Sequence, residues 1–158
     1  MEPIKIVFLD MDNTINANET CEDVEFTPGM YLNKKPIKLM IEAVYRMFQL
    51  NNIPVIIISK VQGGIDGVSE KKLWLSRYMK QSPADCLWLA DSNKNVTKAQ
   101  IIKEVCDLEH YDYKDVLIID DKKQILQDCL SYGFKVMYPQ QVMCEYEEFL
   151  FGITDGVI

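Results

Sequence analysis

Five short runs of apolar residues, separated by longer polar or amphipathic stretches, follow one another along this chain. They are Ile6 to Leu9, Ile53 to Ile58, Cys86 to Ala90, Val116 to Ile119 and Phe134 to Tyr138. The first, second and fourth runs are apolar at nearly every position, without the alternation of a strand that has one face in water. Such runs are typical of strands buried on both faces of a parallel sheet, and we predict five strands here.

The stretches between the runs carry apolar residues at helical spacing. After Lys35-Pro36, which suits the first turn of a helix, apolar positions recur every three or four residues at Leu39, Met40, Ala43, Val44, Met47 and Phe48. This spacing predicts an amphipathic helix. A second helix is predicted to begin at Ser69-Glu70, after a loop loosened by glycines. Its predicted buried stripe consists of Leu73, Trp74 and Tyr78.

Three further helices complete the pattern. Thr97 is a suitable N-cap for a helix that starts at Lys98. The helix from Gln124 to Ser131 is predicted to end at Gly133, and a last helix covers Gln140 to Phe149. Strand and helix therefore alternate throughout. This alternation predicts a doubly wound, Rossmann-like α/β fold, in which a parallel sheet of about five strands has helices on both faces.

The segment from residue 15 to 36 interrupts the alternation directly after the first strand. It is rich in polar and acidic residues and contains the turn sequence Thr27-Pro28-Gly29. Its place predicts a small flap or minimal cap over the sheet edge, with a plain connecting loop as the alternative. The length of 158 residues predicts a single domain over 1–158 that includes this flap.

The charge of the chain excludes several classes of partner. A formal net charge of −7 argues against binding to a nucleic-acid duplex or to an anionic membrane surface, since both reward positive charge. No apolar run approaches the roughly 18 residues of a membrane span. A small phosphorylated substrate stays compatible with this charge, because a bound cation and local lysines can reverse its sign within a site. Neither composition nor motifs predict an oligomeric state.

The cysteines carry no motif. Their number is odd, no two form a Cys-x-x-Cys pair, and they are scattered as Cys21, Cys86, Cys106, Cys129 and Cys144. This usage predicts reduced thiols that fill the core of a cytoplasmic protein, and it excludes a zinc site.

Candidate chemistry begins where the first strand ends, at Asp10 and Asp12. Side chains repeat every two residues in a strand, so both carboxylates point the same way if the strand geometry persists. Two carboxylates held this close repel each other unless a cation or a shared proton intervenes, and Mg²⁺ is a cation that takes hard oxygen ligands. The ordinary alternative for such a pair is a solvated turn with a capping role.

Other strands also end in residues that suit phosphate chemistry. Ser59 follows the second strand, Asp120 and Asp121 follow the fourth, and Lys98 opens the helix between the third and fourth strands. Parallel strands present their carboxyl ends at one edge, so these residues share a pocket in the predicted fold. The set contains a carboxylate nucleophile, a second carboxylate as acid and base, oxygen ligands for Mg²⁺, and a hydroxyl and an ammonium for phosphoryl oxygens.

Several other side chains have ordinary interpretations. Lys94 and Lys103 compete with Lys98 for the phosphate role, but Lys94 lies in a loop and Lys103 is further into the helix. Lys60, beside Ser59, is interpreted as a solvated charge. His110 is interpreted as an exposed loop residue, and both Trp74 and Trp88 as packing residues.

The order Asp-x-Asp-x-Thr, Ser after an Ile-rich strand, Lys at a helix start and Asp-Asp after Leu-Ile-Ile resembles the haloacid dehalogenase (HAD) superfamily of phosphatases. This resemblance implies Asp10 as the nucleophile, Asp12 as the acid and base, and Thr14 as a support for the first loop. It also implies that Ser59 and Lys98 hold the phosphoryl group. The implied Mg²⁺ site consists of Asp10, the backbone carbonyl of Asp12, Asp120 and Asp121.

Three phrases resemble one branch of that superfamily more closely. The sequences Thr27 to Pro36, Ile41 to Val44 and Glu70 to Leu75 are similar to the cytosolic 5′-deoxyribonucleotidases and their bacterial relatives. That resemblance implies a nucleoside 5′-monophosphate as substrate, with aromatic residues near the flap stacking on the base.

Two functions from other classes fit parts of the same pattern. A receiver-type phosphoacceptor domain also combines acidic residues, a hydroxyl, a lysine and Mg²⁺, but its acidic pair comes first in the chain and its lysine last. A HAD-like protein that only binds a phosphorylated ligand or a partner is the third possibility. The order of the residues favours the Mg²⁺-dependent phosphomonoester hydrolase.

Overall fold

The computed structural model describes residues 3–17, 25–79, 85–90 and 95–151. Seven strands occur among these residues: β1 (Ile6–Leu9), β2 (Asn16–Ala17), β3 (Lys35–Pro36), β4 (Val55–Val61), β5 (Cys86–Ala90), β6 (Val116–Ile119) and β7 (Lys135–Met137). Five of them form one parallel sheet in the order β5-β4-β1-β6-β7, and β2 pairs with β3 as a small antiparallel ribbon. The predicted parallel sheet of five strands is confirmed.

Helices connect the strands of the sheet. The α-helices of the described residues are α1 (Lys38–Met47), α2 (Gly64–Tyr78), α3 (Lys98–Leu108), α4 (Lys123–Ser131) and α5 (Pro139–Phe151), with short 3₁₀ turns at Gln49–Asn51 and Tyr113–Asp115. None of these helices is long and apolar enough to cross a membrane.

Alternate residues of the central strand β1 point to opposite faces of the sheet, as strand geometry requires. Val7 and Leu9 pack in a core with side chains of α1, α2 and α5. Ile6 and Phe8 pack in a second core with α3 and α4. All four side chains are almost completely buried. The sheet therefore has helices on both faces, which confirms the predicted doubly wound α/β fold.

The chain around α2 differs from its prediction. The helix begins at Gly64, five residues before the predicted start at Ser69. Gly63 precedes it with a left-handed φ of 78°, and a Cβ on Gly67 would lie 1.8 Å from the carbonyl oxygen of Gln62. The glycines thus allow a sharp turn and a close approach between β4 and α2. The prediction of a loop loosened by these glycines is wrong.

The prediction of the buried stripe of α2 was also partly wrong. Leu73 is exposed, whereas Trp74 is buried together with Gly67, Lys71 and Leu75. These four positions are three or four residues apart or adjacent, and so lie on one side of the helix. The buried face of α2 therefore includes a lysine, which the hydrophobic pattern alone assigns to solvent.

Part of the predicted flap packs firmly on α2. The carboxylate of Glu70 accepts hydrogen bonds from the backbone N–H groups of Gly29 and Tyr31. The indole Nε1 of Trp74 donates to the carbonyl oxygen of Lys34 over 2.8 Å. We call residues 25–34 the docked segment. Of the other residues of the predicted flap, 15–17 and 35–36 are described and include the strands β2 and β3, and residues 18–24 lie outside the described residues.

The docked segment also contacts the turn between β4 and α2. The backbone N–H of Gln62 donates to the hydroxyl of Tyr31 over 3.0 Å. The ring of Phe26 lies so close to Gly63 that a Cβ there would be 2.4 Å from it. This segment is therefore held by side chains along its length, and it delivers Lys34 to the carboxyl edge of the sheet.

Candidate active site

The site is built at the carboxyl edge of the sheet, around the end of β1. Leu9 pairs with Ile119 of β6, so the residues that follow these strands, Asp10 and Asp120, stand side by side. The backbone N–H of Asp10 continues the ladder by donating to Ile119 over 2.9 Å. The strand register therefore places two acidic side chains next to each other although they are far apart in sequence.

Lys98 lies between these two carboxylates. Its position is fixed by a capping box, in which Thr97 and Gln100 satisfy each other's backbone N–H groups at the start of α3. The Lys98 Nζ donates to Asp10 Oδ1 over 2.7 Å and to Asp120 Oδ2 over 2.6 Å. Burial opposes its charge, but the two carboxylates outweigh burial and hold the pKa of Lys98 above its ordinary value.

The second oxygen of Asp10 is also held. The Thr14 hydroxyl donates to Asp10 Oδ2 over 3.1 Å, and both side chains are buried. The loop between them closes on itself, because the backbone N–H groups of Thr14 and Ile15 both donate to the carbonyl of Met11. The Thr14 hydroxyl therefore fixes the orientation of Asp10.

Three carboxylates converge at one point of the site. Oxygen atoms of Asp10, Asp120 and Asp121 lie within 4.8 Å of one another. Burial, together with the charges of Asp10 and Asp120, raises the pKa of Asp121 to about 7. Asp121 Oδ1 is buried and has no hydrogen-bond partner among the described residues. A divalent cation with hard oxygen ligands fits this donor set, since it would neutralise the repulsion and occupy the unpaired oxygen.

Asp12 belongs to a different cluster from Asp10. Lys71 Nζ donates to Asp12 Oδ2 and Lys34 Nζ to Asp12 Oδ1, each over 2.6 Å, and Asn16 Nδ2 lies 3.3 Å from Oδ1. Burial acts to raise the pKa of Asp12, but the two lysines outweigh it and lower this pKa below its ordinary value. Asp12 is thus a fixed carboxylate, held by donors on both of its oxygens.

Ser59 joins the Asp12 cluster from the neighbouring strand. It is fully buried inside β4, because this strand extends to Val61, beyond its predicted end. Lys71 Nζ donates to Ser59 Oγ over 2.8 Å and to the carbonyl oxygen of Lys60 over 2.6 Å. Ser59 is therefore linked to Asp12 through a shared lysine.

The sequence did not indicate Lys34 and Lys71 as site residues. Lys71 is completely buried and Lys34 is 8% exposed. A signal for Lys71 is present, since it lies on the same helical face as Gly67 and Trp74. No comparable signal exists for Lys34, because its place depends on contacts between the docked segment and α2.

The competing side chains lie away from the site or outside the described residues. Lys94 is among the residues not described, and Lys60 is exposed. Lys103 forms an ion pair with Asp107 on the partly exposed face of α3. His110 is exposed, as predicted, and has a left-handed φ of 60°. Among the residues that the structure describes, Lys98 is the lysine that donates to Asp10.

A cavity of about 600 Å³ lies beside the start of α3. Its walls are mainly apolar and are formed by Lys60, Trp88, Leu89, Ala90, Val96, Thr97, Lys98, Ile101, Ile125 and Asp128. The size falls in the range of small-molecule sites in proteins. Lys98 lines the cavity and also donates to Asp10 and Asp120, so the cavity adjoins the site.

Known proteins share the fold of this chain at low sequence identity. No protein-family model and no curated protein sequence matches it. The crystal structure of the N-terminal part of the protein BF1531 from Bacteroides fragilis, which contains a phosphatase domain and is complexed with Mg, has a TM-score of 0.61 and 19% identity. The match covers 97% of this chain and 40% of that chain, so this chain spans two fifths of its length.

A second solved structure is an uncharacterized protein from Corynebacterium glutamicum. It is 16% identical to this chain, with a TM-score of 0.54, and the match covers 98% of this chain and 99% of that one. At these identities the likeness shows the fold alone. It confirms the predicted doubly wound α/β architecture.

Proposed function

We propose that this protein is a Mg²⁺-dependent phosphomonoester hydrolase that works through an aspartyl-phosphate on Asp10. The observation that carries this proposal is the environment of Asp10: Thr14 and Lys98 each hold one of its oxygens, and Asp120 and Asp121 complete a cation site beside it. A buried carboxylate fixed in this way is poised as a nucleophile next to the charge that must offset a phosphoryl group. The fold shared with a phosphatase domain complexed with Mg supports the same activity.

The chain's own residues divide the work. Asp10 attacks phosphorus and the bond to the leaving oxygen breaks, which transfers the phosphoryl group to the carboxylate. Lys98 has three N–H protons and two acceptors among the described residues, so its third N–H is available for a phosphoryl oxygen. Asp12 is the base for the water that hydrolyses the intermediate, and it acts as acid for the leaving oxygen once it has taken up a proton, which the two lysines oppose. Ser59 holds a further phosphoryl oxygen.

The cation site fits this chemistry. Asp10, Asp120 and Asp121 would hold Mg²⁺ through carboxylate oxygens, with the backbone carbonyl of Asp12 as the ligand that the resemblance adds. When bound, the cation supplies positive charge that neutralises the transferring phosphoryl group.

The experiment that tests the proposal is phosphate release from a panel of phosphomonoesters and one acyl phosphate, with Mg²⁺ and with chelator. The panel contains nucleoside and deoxynucleoside 5′-monophosphates, sugar phosphates, acetyl phosphate and a phosphoprotein. Mg²⁺-dependent release with many turnovers supports the hydrolase. A single phosphoryl transfer from acetyl phosphate that stays on the protein contradicts it and indicates a receiver-type phosphoacceptor, and binding without transfer indicates a silent HAD-like protein.

Mg²⁺ is expected to stabilise the folded protein, and more strongly at pH 8 than at pH 5. Free Mg²⁺ at a hundredfold excess over its Kd raises the free energy of unfolding by about 2.7 kcal/mol, or the Tm by roughly 5–10 °C. At pH 5 a proton on Asp121, whose pKa is raised to about 7, competes with the cation. Thermal melts at both pH values, with Mg²⁺ and with chelator, measure this difference.

The metal-free protein is expected to show the opposite trend with pH. A folded-state pKa raised from 3.8 to about 7 contributes stability that is fully present below pH 3.8 and lost as the pH rises through 7. The Asp121→Asn variant is the control, since its melting temperature should lose both the pH trend and most of the Mg²⁺ effect. If Mg²⁺ does not change the Tm of the natural protein at either pH, this cation site is excluded.

For the substrate we propose a nucleoside 5′-monophosphate whose nucleoside part lies in the cavity beside α3. The resemblance to the 5′-deoxyribonucleotidases suggested this substrate, and the cavity supplies a mainly apolar space next to Lys98. Tyr31, one of the two aromatic residues of the docked segment, is buried. Its ring is therefore not the surface on which a base stacks.

Filling the cavity is expected to discriminate between substrates. The Ile101→Trp variant places a larger side chain in the cavity wall and should lower kcat/KM for nucleoside monophosphates by about tenfold or more. Acetyl phosphate, whose leaving group is small, should be hydrolysed at the natural rate. The matched control is Leu108→Trp on the exposed face of the same helix. An equal loss on both substrates places the leaving group outside this cavity.

A further inference from the structure

The ammonium group of Lys71 has three hydrogen-bond acceptors, one for each of its N–H protons. Its ammonium donates to Asp12 Oδ2 over 2.6 Å, to Ser59 Oγ over 2.8 Å and to the carbonyl oxygen of Lys60 over 2.6 Å. A lysine ammonium offers three N–H donors and no acceptor. Lys71 is also completely buried. It therefore has no donor left for a substrate, and any part that it takes in the reaction acts through the groups that it holds.

The bond to Ser59 determines how this hydroxyl can be used. A hydroxyl offers one proton and two acceptor positions. The ammonium of Lys71 can only donate, so it occupies an acceptor position of Ser59 and leaves the hydroxyl proton free to turn. In this structure the hydroxyl donates to the carbonyl oxygen of Lys60, with 3.3 Å between Ser59 Oγ and that oxygen, which Lys71 contacts more closely. Ser59 is thus prepared to donate to an incoming anionic oxygen.

Asp12 is held from two sides by lysines on different parts of the chain. Lys71 comes from α2, and Lys34 comes from the docked segment, whose backbone is bonded to Trp74 and Glu70 of the same helix. The ring of Tyr31 lies 4.4 Å from Lys71 Nζ and 5.0 Å from Lys34 Nζ. Its π-face is a favourable neighbour for both cations. The two ammonium groups are therefore fixed relative to each other and to the carboxylate.

We propose that Lys71 is a positioning residue, which holds the Asp12 carboxylate and the Ser59 hydroxyl in the orientation that the reaction needs. Lys34 shares the work on Asp12. This inference rests on the proposed function, because it assigns a purpose to Asp12 and Ser59 in phosphoryl transfer. The inference adds a lysine that contacts neither the substrate nor the carboxylates of Asp10, Asp120 and Asp121. It also gives the docked segment a role, since this segment supplies Lys34.

The test replaces Lys71 by Met, which keeps the length of the side chain and removes the ammonium. Lys34 and Asn16 still hold Asp12 in this variant, so the fold should persist, and a normal rise of the Tm with Mg²⁺ shows that the acidic cluster is intact. We expect kcat to fall about a hundredfold, as for a misplaced catalytic group, with KM changed by less than about threefold. The matched control is Lys72→Met, on the exposed side of the same helix.

A double-mutant cycle with Ser59→Ala separates positioning from a structural effect. If Lys71 acts through Ser59, the Ser59→Ala change costs much less kcat in the Lys71→Met background than in the natural protein. A kcat within about threefold of the natural value in Lys71→Met overturns the inference. So does a rise in KM alone, which would show that Lys71 binds the substrate directly.

A measurement without turnover keeps the inference separate from the proposed function. If the natural protein releases phosphate from no member of the panel, the proposed function fails, and crystal structures of the natural protein and of Lys71→Met still decide the positioning role. We expect the Asp12 carboxylate and the Ser59 hydroxyl to change orientation in the variant. Unchanged orientations of both groups overturn the inference.

Discussion

Replacing Asp10 by Asn is expected to abolish turnover, with a loss of about 10⁴-fold or more, while the protein stays folded. The amide has no nucleophilic oxygen anion, so the aspartyl-phosphate cannot form. Losses of this size are usual when a catalytic nucleophile is removed. Phosphate release on the best substrate of the panel measures the effect, and mass spectrometry of the rapidly quenched protein shows whether a phosphorylated species is lost with it.

The folded state should tolerate this change because Asp10 is one of three carboxylates that repel one another. Oxygen atoms of Asp10, Asp120 and Asp121 lie within 4.8 Å, and removing one charge relieves part of the repulsion. Lys98 keeps its bond to Asp120. We therefore expect the Tm of the metal-free variant to be at least that of the natural protein.

The control for Asp10→Asn is Asp112→Asn, at an exposed position before the 3₁₀ turn Tyr113–Asp115. It changes the net charge equally and should leave turnover unchanged. If Asp10→Asn keeps more than about 1% of the natural kcat, Asp10 is not the nucleophile. If Asp10→Asn loses both activity and the fold, the role of Asp10 is tested by mass spectrometry of the quenched natural protein, which shows whether Asp10 is phosphorylated.

The second large effect is expected for Lys98→Met, and it concerns stability as much as activity. The ammonium of Lys98 holds two buried carboxylates, Asp10 and Asp120, at 2.7 and 2.6 Å. Removing one partner of a buried ion pair costs about 3–5 kcal/mol, because the remaining charge is left buried without compensation. We expect the free energy of unfolding to fall by this amount without Mg²⁺, and turnover to be nearly lost.

Mg²⁺ should restore part of the stability of Lys98→Met, since the cation supplies positive charge to the same carboxylates. Urea unfolding with Mg²⁺ and with chelator measures the difference. The double variant Asp10→Asn with Lys98→Met should be more stable than Lys98→Met alone, because one of the two stranded charges is gone. Lys103→Met is the matched control, as its ion pair with Asp107 is partly exposed and worth little. Equal stabilities of Lys98→Met and Lys103→Met contradict this account of the site.

Much of the site could be predicted because its residues follow directly on strands that the hydrophobic pattern identifies. Asp10 and Asp120 end buried runs, and parallel strands bring their ends to one edge wherever the chain places them. Lys98 follows a recognisable N-cap, so its place at the start of a helix was also predictable. These are local signals, and the rules of sheet geometry convert them into proximity.

The residues that the prediction missed depend on tertiary contacts. A lysine on a helix face is normally solvated, and the bonds to Asp12, to Ser59 and to the carbonyl oxygen of Lys60 make burial of Lys71 favourable. Lys34 reaches the site because Glu70 and Trp74 bind the docked segment. The contacts of Glu70 and Trp74 with the docked segment join parts of the chain some forty positions apart. Neither periodicity nor a short motif predicts them.

The start of α2 was mispredicted for a related reason. Gly63, Gly64 and Gly67 stand close together, a pattern that favours a loop when considered locally. In the structure Gly67 is needed because α2 lies too close to Gln62 and Val61 for a side chain, and Gly63 and Gly64 have a positive φ that favours glycine. A glycine demanded by packing cannot be distinguished from one demanded by a turn until the neighbouring strand is known.

The central place of β1 in the sheet has a consequence for how the protein emerges from the ribosome. One edge of this strand pairs with β4, about fifty positions later, and the other edge pairs with β6, with Ile6 beside Val116. The second edge therefore has no partner until some 110 further residues have been synthesised. Until then an apolar strand with open hydrogen-bonding groups is available to neighbouring chains. β1 precedes the other strands of this sheet in the chain, but it is completed only when β6 pairs with it and brings Asp120 beside Asp10.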